Sequence, residues 1–130
     1  MIFLDAETVN GLHEHIVATQ PCRAGDFGIG RLEAVLGRVE NLIEYDSISY
    51  LFEIAAAGIY CIAKGHAFID GNKRTALLSG SSFLELNHRP ILVNDNFDNY
   101  LVDLVTDDMN LVEFSIVLCD ARIEYERQLL

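Results

Sequence analysis

Leu51-Phe52-Glu53-Ile54-Ala55-Ala56-Ala57-Gly58-Ile59-Tyr60-Cys61-Ile62-Ala63-Lys64 is the stretch on which the fold turns. Leu51, Phe52, Ile54, Ala55, Ala56, Ile59 and Ile62 leave almost no polar side. A helix apolar nearly all round belongs at a core. Ser47 or Ser49 is placed to cap it. Upstream, Leu32, Val35, Leu36, Val39, Leu42 and Ile43 recur at i, i+3, i+4 and i+7, which predicts an amphipathic helix. Before that, Pro21-Cys22-Arg23-Ala24-Gly25-Asp26-Phe27-Gly28-Ile29-Gly30 holds three interior or terminal glycines and a proline, and reads as a mobile loop. Asp5 can cap a first helix with Val9, Leu12 and Ile16 on one face. Downstream, a loop over 65–70 leads to a fourth helix reaching about Asn87, in which Gly80, Ser81 and Ser82 suit close packing. Pro90 ends it, because proline restricts the preceding residue and cannot continue a helix. After a short extended piece at Ile91-Leu92-Val93, Asn94 or Asp95 can cap a fifth helix carrying Phe97, Tyr100, Leu101 and Leu104. Asn110 with Glu113 makes a capping-box start for a sixth, with Leu111, Phe114, Val117, Leu118 and Ala121 on its apolar face. No repeat, low-complexity tract or linker interrupts the pattern. The expectation is an all-α fold of about six helices in one domain spanning 1–130.

Composition excludes several classes. With 51% hydrophobic residues in a chain of 130, the protein is not disordered and needs no disulfide or metal to fold. Its 20 Asp and Glu against 9 Lys and Arg give a net charge of -11. That disfavours direct nucleic-acid binding, which requires cations to displace phosphate counterions, and binding to anionic membranes. No run of ~20 apolar residues is present to span a bilayer. The start Met1-Ile2-Phe3-Leu4-Asp5 lacks the basic and long apolar parts of a secretory signal. Cys22, Cys61 and Cys119 contain no C-x-x-C pair. These features together predict a reduced, cytoplasmic protein. The charge is uneven, however. Residues 54–92 hold Lys64, Lys73, Arg74 and Arg89 against Asp70 and Glu85, a net of +2, and the remainder holds 5 basic and 18 acidic residues, a net of -13. A cationic island in an acidic chain suits a compact anion such as a nucleotide phosphate; chance clustering gives the same count.

The island contains Gly65-His66-Ala67-Phe68-Ile69-Asp70-Gly71-Asn72-Lys73-Arg74-Thr75. Asp70 sits where a helix N-cap belongs, so Gly71, Asn72 and Lys73 would offer the free N–H groups of a first turn, a natural anion site. Lys73 and Arg74 add full charges, and Arg74 can fork onto phosphate oxygens. Asp70 is a hard oxygen ligand of the kind that holds magnesium beside substrate phosphates. His66 titrates near neutrality and can act as a general base. Each residue alone has an ordinary reading: a satisfied histidine, a capping aspartate, solvated cations. Two adjacent cations in a first turn oppose the helix dipole, which argues for an anion there. Phe68 is read as a buried anchor without a chemical role.

The run His66-Ala67-Phe68-Ile69-Asp70-Gly71-Asn72-Lys73-Arg74 resembles the Fic/Doc signature H-x-F-x-[DE]-[GA]-N-[GK]-R, with seven informative positions in nine residues. The length and all-helical order are similar to the Doc-type (death on curing) branch as well. The resemblance implies ATP with magnesium as donor and a protein hydroxyl as acceptor. It implies that His66 takes the hydroxyl proton and Asp70 holds magnesium. Gly71, Asn72 and the helix start would form the anion hole, and Lys73 and Arg74 would bind the moving phosphate. Fic enzymes that transfer AMP usually read G-N-G-R-x-x-R. Here Lys73 stands for the second glycine and Leu77 for the second arginine, both of which point to the kinase-like Doc branch, which transfers the γ-phosphate. Gly71 keeps the general Fic form where some Doc-type members carry alanine, so AMP transfer stays open. A catalytically silent interaction domain is the third reading. A nuclease built on His66 and Asp70 fares badly, since two-metal sites need several convergent carboxylates.

The same resemblance implies a toxin that phosphorylates a threonine of translation elongation factor Tu. It also implies a separate antitoxin protein bound as a helix in an apolar groove. Glu40-Asn41 approaches the inhibitory motif [ST]-x-x-x-E-[GN], but Leu36 stands where Ser or Thr is required, so restraint is expected from outside the chain. Lys64 either reaches the nucleotide or ends its helix, where a cation suits the dipole. His13 and His15 are expected at the surface. The loop 21–30 is either a target-docking flap or a connection.

Overall fold

The computed structural model describes residues 3–130; Met1 and Ile2, which enter the reading of the N-terminal start, lie outside the described residues. Six helices follow one another: α1 (Ala6–Thr19), α2 (Ile29–Tyr45), α3 (Leu51–Gly65), α4 (Asn72–Leu86), α5 (Phe97–Val105) and α6 (Leu111–Gln128). The fold is all-α, as expected, and no strand is formed among the described residues. None of these helices is long and apolar enough to cross a membrane.

The all-round apolar helix is the centre. α3 packs against α2, α4, α5 and α6, and Ile54, Ala55, Ala56, Ala57, Ile59 and Ile62 are almost fully buried. Its run of small residues lets neighbours approach closely, and Gly80 of α4 lies directly on the Ile59 side chain, where a Cβ would collide. Phe83 and Leu84 of α4, Val35 and Val39 of α2, Phe97 and Leu104 of α5, and Phe114 and Leu118 of α6 complete the core. Burying each such side chain contributes roughly 1.5–3 kcal/mol. Cys22, Cys61 and Cys119 are free thiols.

Two predicted caps form. The Thr8 N–H donates to Asp5 Oδ1 at 2.8 Å, and Asn110 and Glu113 make both bonds of the capping box. Others do not. Neither Ser47 nor Ser49 caps α3, which begins after Tyr50 without a side-chain cap. Ser47 instead sits at φ 52 in the turn that closes α2, where its N–H donates to Glu44 O. α5 begins after Asn96, not Asn94 or Asp95; Asn94 Oδ1 accepts the Asn96 N–H and shapes the turn before the helix. α2 starts at Ile29, so Gly30 belongs to the helix and the connection is 20–28.

Candidate active site

The segment 66–71 joins the two most closely packed helices, α3 and α4, and is fixed at both ends. At the α3 end, Arg31 of α2 donates from Nε and Nη2 to the Gly65 carbonyl at 3.2 and 3.1 Å, which satisfies an orphan acceptor of the last turn. His66 then takes the left-handed conformation, φ 49 and ψ 47. That conformation ends helices well, but a non-glycine residue adopts it at a cost of order 1 kcal/mol. The His66 side chain is exposed and has no hydrogen-bond partner among the described residues.

Ala67 and Phe68 turn inward and are buried. Phe68 is the anchor expected of it: its ring stacks on His13 with centroids 3.9 Å apart and planes 12° from parallel. Asn72 reaches back and pairs with the same residue twice. The Phe68 N–H donates to Asn72 Oδ1 at 3.2 Å, and Asn72 Nδ2 donates to the Phe68 carbonyl at 2.9 Å. On the other side the connection 20–28 lies against the segment. The Phe27 N–H donates to Ala67 O and the Ile69 N–H to Gly25 O, both at 3.1 Å, forming an antiparallel bridge between Asp26 and Phe68. The stretch read as a mobile loop is thus tied by backbone bonds to the signature.

Asp70 is not the N-cap of α4. Gly71 is, at φ 78 and ψ 18, and Asp70 uses its carboxylate elsewhere. Oδ1 accepts the Gly71 N–H and Oδ2 accepts the Arg23 N–H, each at 2.9 Å. The physical reason is the glycine. A left-handed residue just before the helix swings the preceding side chain off the helix axis. The bonds from Arg23 and then Gly71 hold the Asp70 carboxyl below its usual range, helped less by the Arg74 and Arg23 charges and opposed by partial desolvation. Asp70 is therefore a carboxylate at neutral pH, and its side chain is 37% exposed.

With Gly71 as the N-cap, the candidate anion site moves one residue along. The Gly71 N–H is consumed by Asp70, and the Thr75 N–H closes the first helical bond onto Gly71 O at 2.8 Å. The free first-turn donors are those of Asn72, Lys73 and Arg74. No side chain caps them and no acidic residue lies in that turn. Lys73 is exposed and has neither hydrogen bond nor ion pair among the described residues. Arg74 is partly engaged: Nη1 donates to Gln20 Oε1 at 3.3 Å and to Pro21 O at 3.1 Å, and Nη2 stands 4.0 Å from Asp70 Oδ1. Lys64 donates to Tyr60 Oη on its own helix at 3.1 Å and pairs with Asp107 Oδ2 of the α5–α6 turn at 3.2 Å. Those two partners raise its pKa.

His13 corrects the surface expectation: it is 4% exposed, whereas His15 is exposed. His13 falls four residues after Val9 and three before Ile16, so the apolar face of α1 already contained it. Arg31 carried no comparable signal, since nothing in its neighbours marks a partner 34 residues away.

The site is therefore an exposed imidazole, one ionised carboxylate and an uncapped helix start with two cations. No group of three or more His, Cys, Asp or Glu able to hold a metal ion exists among the described residues. A single carboxylate suits magnesium that arrives with substrate phosphates, since that ion commonly takes one or two carboxylates and keeps waters. The match to the Fic/DOC family model covers residues 3–84. The chain belongs to the Fic/Doc family. It is 32% identical over 111 residues to "Protein kinase doc" of Escherichia phage P1, covering 85% of this chain and 88% of that protein. It is 35% identical over 88 residues to "Toxin Doc" of Mycolicibacterium smegmatis (strain ATCC 700084 / mc(2)155), covering 67% of this chain and 62% of that one.

Proposed function

We propose that this chain is a Doc-type toxin acting in the cytoplasm as one domain over 1–130, an ATP-dependent kinase of a protein hydroxyl. The observation that carries the reading is the start of α4, where no side chain caps the first-turn N–H groups, no acidic residue lies in the turn, and the exposed Lys73 has no partner among the described residues. Lys73 occupies the place of a glycine in the AMP-transferring pattern, and the names of the two relatives, a protein kinase and a toxin, agree with the kinase branch.

The acceptor hydroxyl oxygen bonds to the γ-phosphorus of ATP as the bond from that phosphorus to the β–γ bridging oxygen breaks, and ADP leaves. His66 takes the hydroxyl proton, a step that typically contributes ~10²–10⁴-fold. The N–H groups of Asn72, Lys73 and Arg74, with the Lys73 ammonium and the remaining Arg74 donors, stabilise the phosphate charge. Asp70 would hold magnesium, which when bound neutralises phosphate charge. Threonine of elongation factor Tu is the acceptor the family resemblance favours. A separate antitoxin, docked as a helix in an apolar groove, supplies restraint.

ATP labelled at the γ- or the α-phosphate tests this with purified elongation factor Tu. Label moves from the γ position, and folded His66→Ala loses transfer by at least ~10²-fold. Transfer of the α label replaces the kinase with an AMP transferase. Normal transfer by folded His66→Ala removes the general base.

A further inference from the structure

His13 lies outside the signature, on α1, yet it touches the signature at two points. Its ring stacks on Phe68, and its Nε2 is 2.9 Å from the carbonyl oxygen of Asp70. A carbonyl only accepts, so Nε2 carries the proton and donates. The Asp70 carbonyl precedes the helix, and no backbone N–H reaches it among the described residues. His13 is thus its sole protein donor there. The same peptide unit continues into Gly71, whose N–H donates to Asp70 Oδ1, and a Cβ on Gly71 would stand 3.8 Å from the His13 ring. The bond therefore clamps the peptide plane on which the Asp70 carboxylate hangs. Arg23 N–H holds the carboxylate from the far side.

We infer that His13 is a positioning residue, which sets the Asp70 carboxylate by fixing its main-chain carbonyl from α1. This rests on the reading of Asp70 as the group that holds magnesium with the nucleotide. Phe68 stacking alone would require only a flat apolar ring at position 13. The Nε2 bond requires a donor at that reach, and the two requirements separate by substitution. His13→Phe keeps a ring on Phe68 and deletes the donor. His13→Gln gives up the ring and keeps an N–H at similar reach.

The full-length chain is titrated with magnesium in the presence of ATP, with calorimetry as the readout and circular dichroism to confirm folding. Positioning predicts that folded His13→Phe needs about tenfold more magnesium or greater for half-saturation, the size usual for loss of a group that orients a metal ligand. Folded His13→Gln stays within about threefold of the unaltered chain. A purely structural histidine gives the reverse order, with Phe tolerated and Gln damaging. Wild-type-like magnesium dependence in His13→Phe, or a tenfold loss in folded His13→Gln, overturns the inference, and the second result decides even if His13→Phe does not fold. An unaltered chain that binds ATP with no magnesium dependence overturns the reading of Asp70 itself, and the inference with it.

Discussion

Gly71→Ala puts the junction between the signature and α4 under the most direct strain. Gly71 has φ 78 and ψ 18, a conformation that costs an L-residue roughly 1–2 kcal/mol. The new methyl would also lie 2.8 Å from Cys22 Sγ and 3.8 Å from His13 Cδ2 and Nε2. Cys22 is half-buried and its thiol makes only a weak 3.6 Å contact with the Arg23 carbonyl, so it can turn aside, but the loop that carries it is bonded to Asp70. Overpacking of this kind adds about 1 kcal/mol or more. The sum is roughly 2–3 kcal/mol, which in a domain of this size lowers the melting temperature by about 8–12 °C. Some Doc-type sequences carry alanine at this point; this chain is expected to tolerate it poorly, because Cys22 fills the space. Thermal unfolding followed by circular dichroism measures the effect. Cys22→Ala in the same background recovers the contact portion and leaves the backbone portion, so a double-mutant cycle divides the two. A Gly71→Ala protein that melts within 2 °C of the unaltered chain (about 0.5 kcal/mol) would refute the reasoning.

Asp70→Asn keeps one acceptor oxygen and turns an amide NH2 toward a backbone donor, so one of the bonds from Gly71 and Arg23 is lost. The variant melts below the wild type and loses magnesium-dependent ATP binding; unchanged melting counts against the two-oxygen grip. Because the folded carboxyl lies below the ordinary 3.8, the wild-type advantage is fully present above that pH and fades only as pH falls through the depressed value. Burial pushes the Cys61 thiol from 9.0 to about 11, against a smaller opposing effect of Arg38. The unfolded chain then releases this proton first, so stability falls by up to roughly 2–3 kcal/mol as pH rises from 9 toward 11, an effect Cys61→Ala abolishes in pH-dependent melting curves. At neutral pH an alkylating reagent reaches Cys61 only through unfolding, whereas early modification at 61 in native protein, mapped by peptide mass, would contradict its burial.

The helices were legible because burial imposes a period. α3 reads as central from its side chains alone, and the Asn110–Glu113 box reads as a start because each side chain satisfies the other's backbone. The caps of α3 and α5 were not legible, since both turns offer adjacent polar residues and the choice depends on how the previous helix ends. Ser47 is drawn into the close of α2 by the bond from its N–H to Glu44 O and that of Ile48 N–H to Ile43 O. Within the signature, residue identities announced the chemistry but not the roles of the backbone. Asp-Gly permits either residue to precede the helix; the left-handed backbone of Gly71 makes it the glycine, with Cys22 and His13 close against it. The tie between 25–27 and 67–69 is main-chain pairing across forty or more residues, which side-chain spacing does not encode.

Those ties decide what the signature can do. Left-handed residues stand at both ends of 66–71, His66 at φ 49 and Gly71 at φ 78. Such backbone persists where surrounding contacts over-determine it. Here Arg31 holds Gly65, Asn72 and the 26–68 bridge hold Phe68, and Arg23 and His13 hold Asp70 from two sides. Against this fixed backbone the side chains of His66 and Lys73 make no hydrogen bond or ion pair among the described residues. A structural turn would gain by pairing them, and Lys73 in an uncapped first turn is mildly unfavourable as it stands, by about 0.3–1 kcal/mol. A rigid frame that leaves an imidazole and an ammonium unsatisfied supports the proposed reading, in which their partners come from outside. In the proposed reading, an anion at the start of α4 would relieve the Lys73 repulsion and satisfy three N–H donors at once, so that preorganisation and affinity would arise from the same set of contacts.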